Sequence, residues 1–217
     1  MTSATNRKTT WKKKQLHIAC WNVRTFNNKE EEIIQELNPG VDYHIDICAI
    51  SETRKRGKDN LRCENYILIY SGKDKHKEAI SGVDHFLHEK YEDNIENIEY
   101  HSDRLLSVTL GFKGKPLHII SICTLDIGKL DAQVNEFYGQ FQISINRLLY
   151  NDCIVILCDF NAQVGDGVKQ RYNENTSNTR RDILVDFCAQ NELHIKNTFF
   201  QHKSQHKRSA TIETTNP

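Results

Sequence analysis

Residues 152–165 read Asp-Cys-Ile-Val-Ile-Leu-Cys-Asp-Phe-Asn-Ala-Gln-Val-Gly. The run 153–158 has the length and β-branched content of a buried strand. Asp159 and Asn161 stand at its C-terminal tip, two residues apart and therefore pointing the same way. A carboxylate there can orient a water, and an amide can donate to a phosphoryl oxygen. Together they form the minimum polar pair for attacking a phosphodiester. The same residues also suit an Asx-type turn, so the rest of the chain must decide.

Outward from that strand, apolar runs alternate with short amphipathic stretches. Strands are expected at residues 16–21, 45–50, 66–70, 82–88, 105–112 and 117–123, with a polar loop after Ser51-Glu52-Thr53-Arg54. A helix is expected over 29–37, where Ile33, Ile34 and Leu37 share one face. The strongest helix covers 132–149, with Val134, Phe137, Phe141, Ile145 and Leu148 at spacings of three and four. A long polar loop over 165–179, a helix over 182–190 and a short strand at 193–195 complete the pattern. No internal repeat and no Pro/Gly-rich linker interrupts it. The order is that of a layered α/β protein.

With 217 residues and 38% hydrophobic content, the chain suits one sizeable domain. No apolar run approaches the roughly eighteen residues of a membrane span. Residues 1–14 carry Arg7, Lys8, Lys12, Lys13 and Lys14 without an acid or a following apolar segment. They read as a basic, disordered arm rather than a secretory signal. The cysteines number seven, an odd count with no Cys-x-x-Cys pair, and most sit inside apolar runs. That usage points to a reducing compartment, nucleus or cytoplasm, and against secretion. The net charge is zero, from 29 basic and 29 acidic residues, which argues against coating nucleic acid by bulk electrostatics. Local basic patches, in the arm and at Lys203, Lys207 and Arg208, still suit an enzyme that meets DNA through a limited face. The acidic stretch 89–99 reads as solvated surface.

The polar residues recur at one kind of place. Asn22 follows the first strand, Glu52 follows the second, and Asp159 and Asn161 follow the strand at 153–158. Strand ends in layered α/β proteins are where loops can be shaped without disturbing the core. Glu52 suits a divalent cation, because Mg²⁺ takes only one or two protein carboxylates beside waters and phosphate. Taken alone, Glu52 reads better as a surface carboxylate paired with Arg54 or Arg56; three strand ends with this chemistry together tip the reading toward a cation.

Ala19-Cys-Trp-Asn-Val-Arg-Thr25, Ile50-Ser-Glu-Thr-Arg54, Tyr70-Ser-Gly-Lys73, Glu136-Phe-Tyr138 and Asp159-Phe-Asn-Ala-Gln-Val-Gly165 follow one another in a collinear series. Phe187-Cys188, Asn197-Thr-Phe199 and His202-Lys-x-x-His-Lys207 continue it over residues 16–207. The series resembles the endonuclease/exonuclease/phosphatase superfamily. The closer likeness is to the apurinic-like endonuclease domain of non-LTR (LINE-type) retrotransposons and of the craniofacial development protein 2-like sequences derived from them. The resemblance implies a DNase I-like, four-layer α-β-β-α sandwich of two facing mixed sheets that cuts phosphodiesters with Mg²⁺ or Mn²⁺. It implies Glu52 and Asn22 as metal ligands, Asp159 as the residue that orients or activates water, and Asn161, with Asn22, as the phosphate-binding groups.

The chain departs from that pattern in several places. Cys123-Thr124-Leu125 stands where the family has Tyr-Ala-Pro, so the Tyr hydroxyl that touches the phosphate is replaced. Gly82-Val-Asp-His85 stands for Gly-Val-Gly-Phe, and Asn178-Thr-Arg-Arg181 keeps only the first Asn of Asn-x-Asn-Gly. Ser209-Ala210 stands for Thr-Trp, residues 209–217 read as an unrelated tail, and residues 1–217 contain no Ser-Asp-His element. The domain is accordingly expected to span 15–208 and to be incomplete at its C-terminus. His202 and His206 read as surface or DNA-facing residues. His118 and His194 read as satisfied strand residues, and His85 and His88 as lying on opposite faces. The leading expectation is a metal-dependent endonuclease of retrotransposon origin, monomeric and acting on DNA, with impaired activity. The alternatives are an inactive DNA- or protein-binding remnant and a phosphatase of small phosphate esters.

Overall fold

The computed structural model describes residues 15–23, 26, 29–38, 40, 44–74, 76, 81–125, 131–148, 152–160, 179–196 and 209–214. Two mixed sheets face each other. The first is built from β1 (Ile18–Asn22), β2 (Ile47–Ser51), β3 (Lys58–Cys63), β4 (Tyr66–Gly72) and β5 (Gly82–His88), in the order β1-β2-β5-β4-β3. The second contains β6 (Ile95–Ser102), β7 (Leu105–Leu110), β8 (Leu117–Cys123), β9 (Cys153–Asp159), β10 (Leu193–Ile195) and β11 (Ser209–Thr214), in the order β10-β11-β9-β8-β7-β6. Each sheet has one parallel pair, β1 with β2 and β8 with β9, among antiparallel neighbours. Helix α1 (Glu30–Leu37) covers the first sheet. Helices α2 (Asp131–Asn146) and α3 (Thr179–Gln190) cover the second.

Side-chain alternation divides the core into three apolar layers. Ile47 and Ala49 of β2, Ile67 and Ile69 of β4, and Val83 and Leu87 of β5 meet Leu106, Val108, Ile119, Val155 and Leu157 between the sheets. The alternate residues of the first sheet, Cys48, Ile50, Leu68 and Phe86, pack on Ile33, Ile34 and Leu37 of α1. On the far side Ile120, Ile122, Ile154 and Ile156 pack on Phe137, Phe141 and Ile145 of α2 and on Leu184 and Phe187 of α3, with the Phe141 and Phe187 rings stacked at 4.6 Å. This is the expected four-layer α-β-β-α sandwich.

Two strands lie where sequence patterning indicated none. β3 sits in the stretch read as a polar loop, and β6 overlaps the acidic run, after a 3-10 helix over Glu89–Asn94. Both are edge strands of their sheets; β3 holds its polar and charged side chains in solvent, whereas β6 packs Ile95, Ile98 and Tyr100 against the core between the sheets. The strand character of β3 comes from backbone pairing with β4, so it carries no apolar alternation, and in β6 the register shifts between Ile95 and Asn97 and between Tyr100 and Ser102 break the alternation among acidic residues. The stretch read as an unrelated tail also belongs to the fold: β11 lies between β10 and β9 and pairs Ser209 with Asp159. The loop over 165–179, apart from Thr179 in α3, lies outside the described residues, as do His202 and His206.

At the opposite end of β2 from Glu52, Asp46 is buried and accepts from the His17 backbone N–H at 2.8 Å, with His44 Nε2 at 3.0 Å and Lys90 also bound to it. Burial works to raise the Asp46 carboxyl, but His17, Lys90 and His44 together hold it below its ordinary value of 3.8. A lowered carboxyl stabilises the fold above the unfolded value, and that stability is lost as pH falls through the folded one. Asp46→Ala should cost about 1–3 kcal/mol at neutral pH. In urea titrations the difference from wild type should shrink below about pH 4.

Candidate active site

β1 and β2 run parallel with Asn22 opposite Ser51, so the residues that follow them emerge side by side. Asn22 Nδ2 donates to Glu52 Oε1 at 2.7 Å. The surface pairing of Glu52 with Arg54 or Arg56 is therefore not the arrangement described; its partner is the other sequence-selected residue on this sheet. Glu52 and Arg54 have φ of 59° and 55°, a left-handed conformation that costs about 1–2 kcal/mol per non-glycine residue. Such strain persists only where the surroundings over-determine it, as at binding sites.

The surroundings here are specific. Thr53 N–H donates to the Gly82 carbonyl at 3.3 Å, and Phe26 N–H donates to the Thr53 carbonyl at 3.0 Å. The turn lies so close to β4 and β5 that a Cβ on Gly72 would fall on the Lys55 carbonyl, and one on Gly82 on Thr53 Oγ1. Thr53 Oγ1 donates to Asp84 Oδ1 at 2.9 Å. Lys55 Nζ pairs with Glu30 at 2.5 Å and lies 4.3 Å from the Phe26 ring centre. A cleft of about 430 Å³ opens beside Asn22, between the exposed Trp21, Lys29 at the start of α1, and the α1 residues Glu32 and Glu36.

On the second sheet, Asp159 is the last residue of β9, opposite Cys123 of β8. Its backbone is described and its side chain is not; Asn161 lies outside the described residues. The structure thus brings Asn22 and Glu52 together and leaves the placement of the Asp159 and Asn161 side chains open. Arg104, which motif reading passed over, reaches the end of β8. Its Nη1 donates to the Cys123 carbonyl at 3.2 Å and the Thr124 carbonyl at 3.0 Å. Its only sequence signal was a cation in the turn between two strands.

His118 and His85 behave as strand residues. His118 Nε2 lies 2.9 Å from Asp152 and its Nδ1 lies 2.9 Å from Thr109, at the opposite end of β8 from Cys123. His85 is fully buried, and burial pushes it down to about 3, so it is neutral. A lone carboxylate beside an amide oxygen suits a hard cation that keeps most of its waters. No cluster of three or more His, Cys, Asp or Glu suited to a metal occurs among the described residues. No helix among them is long and apolar enough to cross a membrane.

Two facing mixed sheets with helices outside both make an α/β sandwich of the DNase I-like fold. Among solved structures it is similar to the AP endonuclease LMAP from Leishmania major, with a TM-score of 0.63 and 11% identity over 90% of this chain and 78% of that one. An AP endonuclease from Archaeoglobus fulgidus gives 0.62 and 13% over 92% and 87%. The endonuclease domain of TRAS1, a telomere-specific non-LTR retrotransposon, gives 0.59 and 11% over 91% and 83%. In sequence the chain is 28% identical, over 199 residues, to craniofacial development protein 2 of Tragulus javanicus and of Bos taurus. The match covers 89% of this chain and 34% and 33% of those proteins, so the chain spans about a third of their length. No protein-family model matches it.

Proposed function

We propose that this chain is a divalent-metal-dependent phosphodiesterase domain that nicks DNA, of retrotransposon origin, with low intrinsic activity in residues 1–217. The observation that carries the reading is the 2.7 Å Asn22–Glu52 hydrogen bond, made at the ends of two parallel strands with Glu52 held in a strained conformation. The likeness to two AP endonucleases and a retrotransposon endonuclease domain supports DNA as the substrate. The odd number of cysteines, with no Cys-x-x-Cys pair, suits nucleus or cytoplasm.

Glu52, with the Asn22 amide oxygen, would hold Mg²⁺ or Mn²⁺. A bound cation would neutralise charge developing on the phosphoryl oxygens. Asp159 would orient the attacking water and take its proton. Asn161 would donate to a non-bridging phosphate oxygen.

The test is nicking of supercoiled plasmid with and without Mg²⁺, on intact and abasic DNA. Glu52→Gln removes the one carboxylate assigned to the metal and keeps its shape. It should weaken Mg²⁺ binding at least about tenfold by calorimetry while leaving the circular dichroism spectrum unchanged. Unchanged affinity would show that the cation is held elsewhere. Retention of DNA without any Mg²⁺-dependent nicking would favour a non-catalytic binding module.

A further inference from the structure

Asp84 is a fully buried carboxyl in the middle of β5, between Val83 and the neutral His85. Its Oδ1 accepts from Thr53 Oγ1 at 2.9 Å, and its Oδ2 has no hydrogen-bond partner. Placing such a group in a sheet interior costs free energy that an apolar residue would avoid. Its one directed contact is with the residue that follows Glu52.

We propose that Asp84 is a positioning residue for the Glu52 site: through Thr53 it holds the Ser51–Arg54 turn in the left-handed shape that presents Glu52 to Asn22. The inference rests on the reading of Glu52 as a metal ligand. Three contacts converge on the turn. They are the Asp84–Thr53 side-chain bond, the Thr53 N–H to Gly82 bond, and the close approach of the turn to Gly72 and Gly82. The first is the one side-chain hydrogen bond of the three, so it can be removed without touching the backbone.

The groups that act on Asp84 are Thr53 and Lys55 from the turn, Glu30 from α1, and Tyr70, its register partner on β4. Burial pushes its carboxyl up to about 7, against the pull of Thr53 and Lys55. An ionised Asp84 accepts more strongly from Thr53 and adds negative charge near the cation site. The turn should therefore tighten, and cation affinity rise, as pH increases through neutrality.

The experiment combines amide hydrogen exchange at Thr53 with Mn²⁺ binding by electron paramagnetic resonance, in wild type, Asp84→Ala, Asp84→Asn, Thr53→Val and Glu52→Gln. Asp84→Ala and Thr53→Val should both speed exchange and weaken Mn²⁺ about 10–100-fold, the usual loss when a ligand's support is removed. Asp84→Asn, which keeps the acceptor, should hold the turn but lose the wild type's change in affinity between about pH 6 and 8. Unchanged exchange in both Asp84→Ala and Thr53→Val overturns the proposal. So does a loosened turn with undiminished Mn²⁺ affinity, when Glu52→Gln abolishes binding. If Glu52→Gln also binds Mn²⁺ normally, the metal assignment is what fails, and the loosened turn still supports Asp84 as its anchor.

Discussion

A polypeptide of residues 1–217 should nick supercoiled plasmid several orders of magnitude more slowly than a superfamily domain that carries both the phosphate-facing Tyr and a Ser-Asp-His element. By the motif resemblance Cys123 takes the place of that Tyr, and it is a buried residue whose carbonyl is engaged by Arg104. Its thiol is a weak donor and cannot replace a phenol at an oxyanion. Among the described histidines, His85 is buried and neutral, and His118 is engaged by Asp152 and Thr109. Neither is arranged as a proton donor beside Glu52. Loss of acid–base help is worth ~10²–10⁴-fold, and loss of one oxyanion donor about 10²–10³-fold. Groups that act as a unit do not multiply, so the combined loss falls short of the product. The measurement is turnover with Mg²⁺, with Asp159→Ala as the blank. A rate equal to the fuller domain's would mean that another residue does this work.

Gly72→Ala should be the most damaging single-methyl change for fold and site together. A Cβ at this position falls on the Lys55 carbonyl, a backbone atom that no rotamer change can move away. Overpacking of this kind costs about 1–3 kcal/mol, and a rigid backbone obstacle places it at the upper end. Relief requires the turn 51–55 to lift from β4, which carries Glu52 away from Asn22. Chemical denaturation should show the lost stability, and the cation affinity should fall with it. Gly139→Ala is the control. Gly139 lies in α2 with nothing within 4 Å of the added methyl, so the same substitution should stabilise by about 0.5–1 kcal/mol through helix propensity alone. Equal effects at the two glycines would show that the close approach at Gly72 carries no energy.

The elements that bury apolar residues were legible before any coordinates. β2, β4, β8 and β9 announce themselves by β-branched runs, and α1 and α2 by Ile33, Ile34 and Leu37 and by Val134, Phe137, Phe141 and Ile145. Burial selects residue type, so it leaves a pattern along the chain. Asn22 and Glu52 were legible as polar residues closing such runs, and collinearity with a known motif series suggested the roles proposed for them. β3, β6 and β11 were not legible. β3 exposes polar side chains, the apolar spacing of β6 is broken by register shifts, and β11 owes its place to backbone bonds with β9 and β10, which any residue type can make. Nor could the sequence show that Glu52 prefers Asn22, thirty residues away, to the arginines two and four residues on. That choice follows from the parallel register of β1 and β2. The turn that aims Glu52 was likewise decided in three dimensions. Gly72, Gly82, Thr53 and Asp84 are dispersed along the chain, and the steric fit and buried hydrogen bond that join them exist only once three strands have come together.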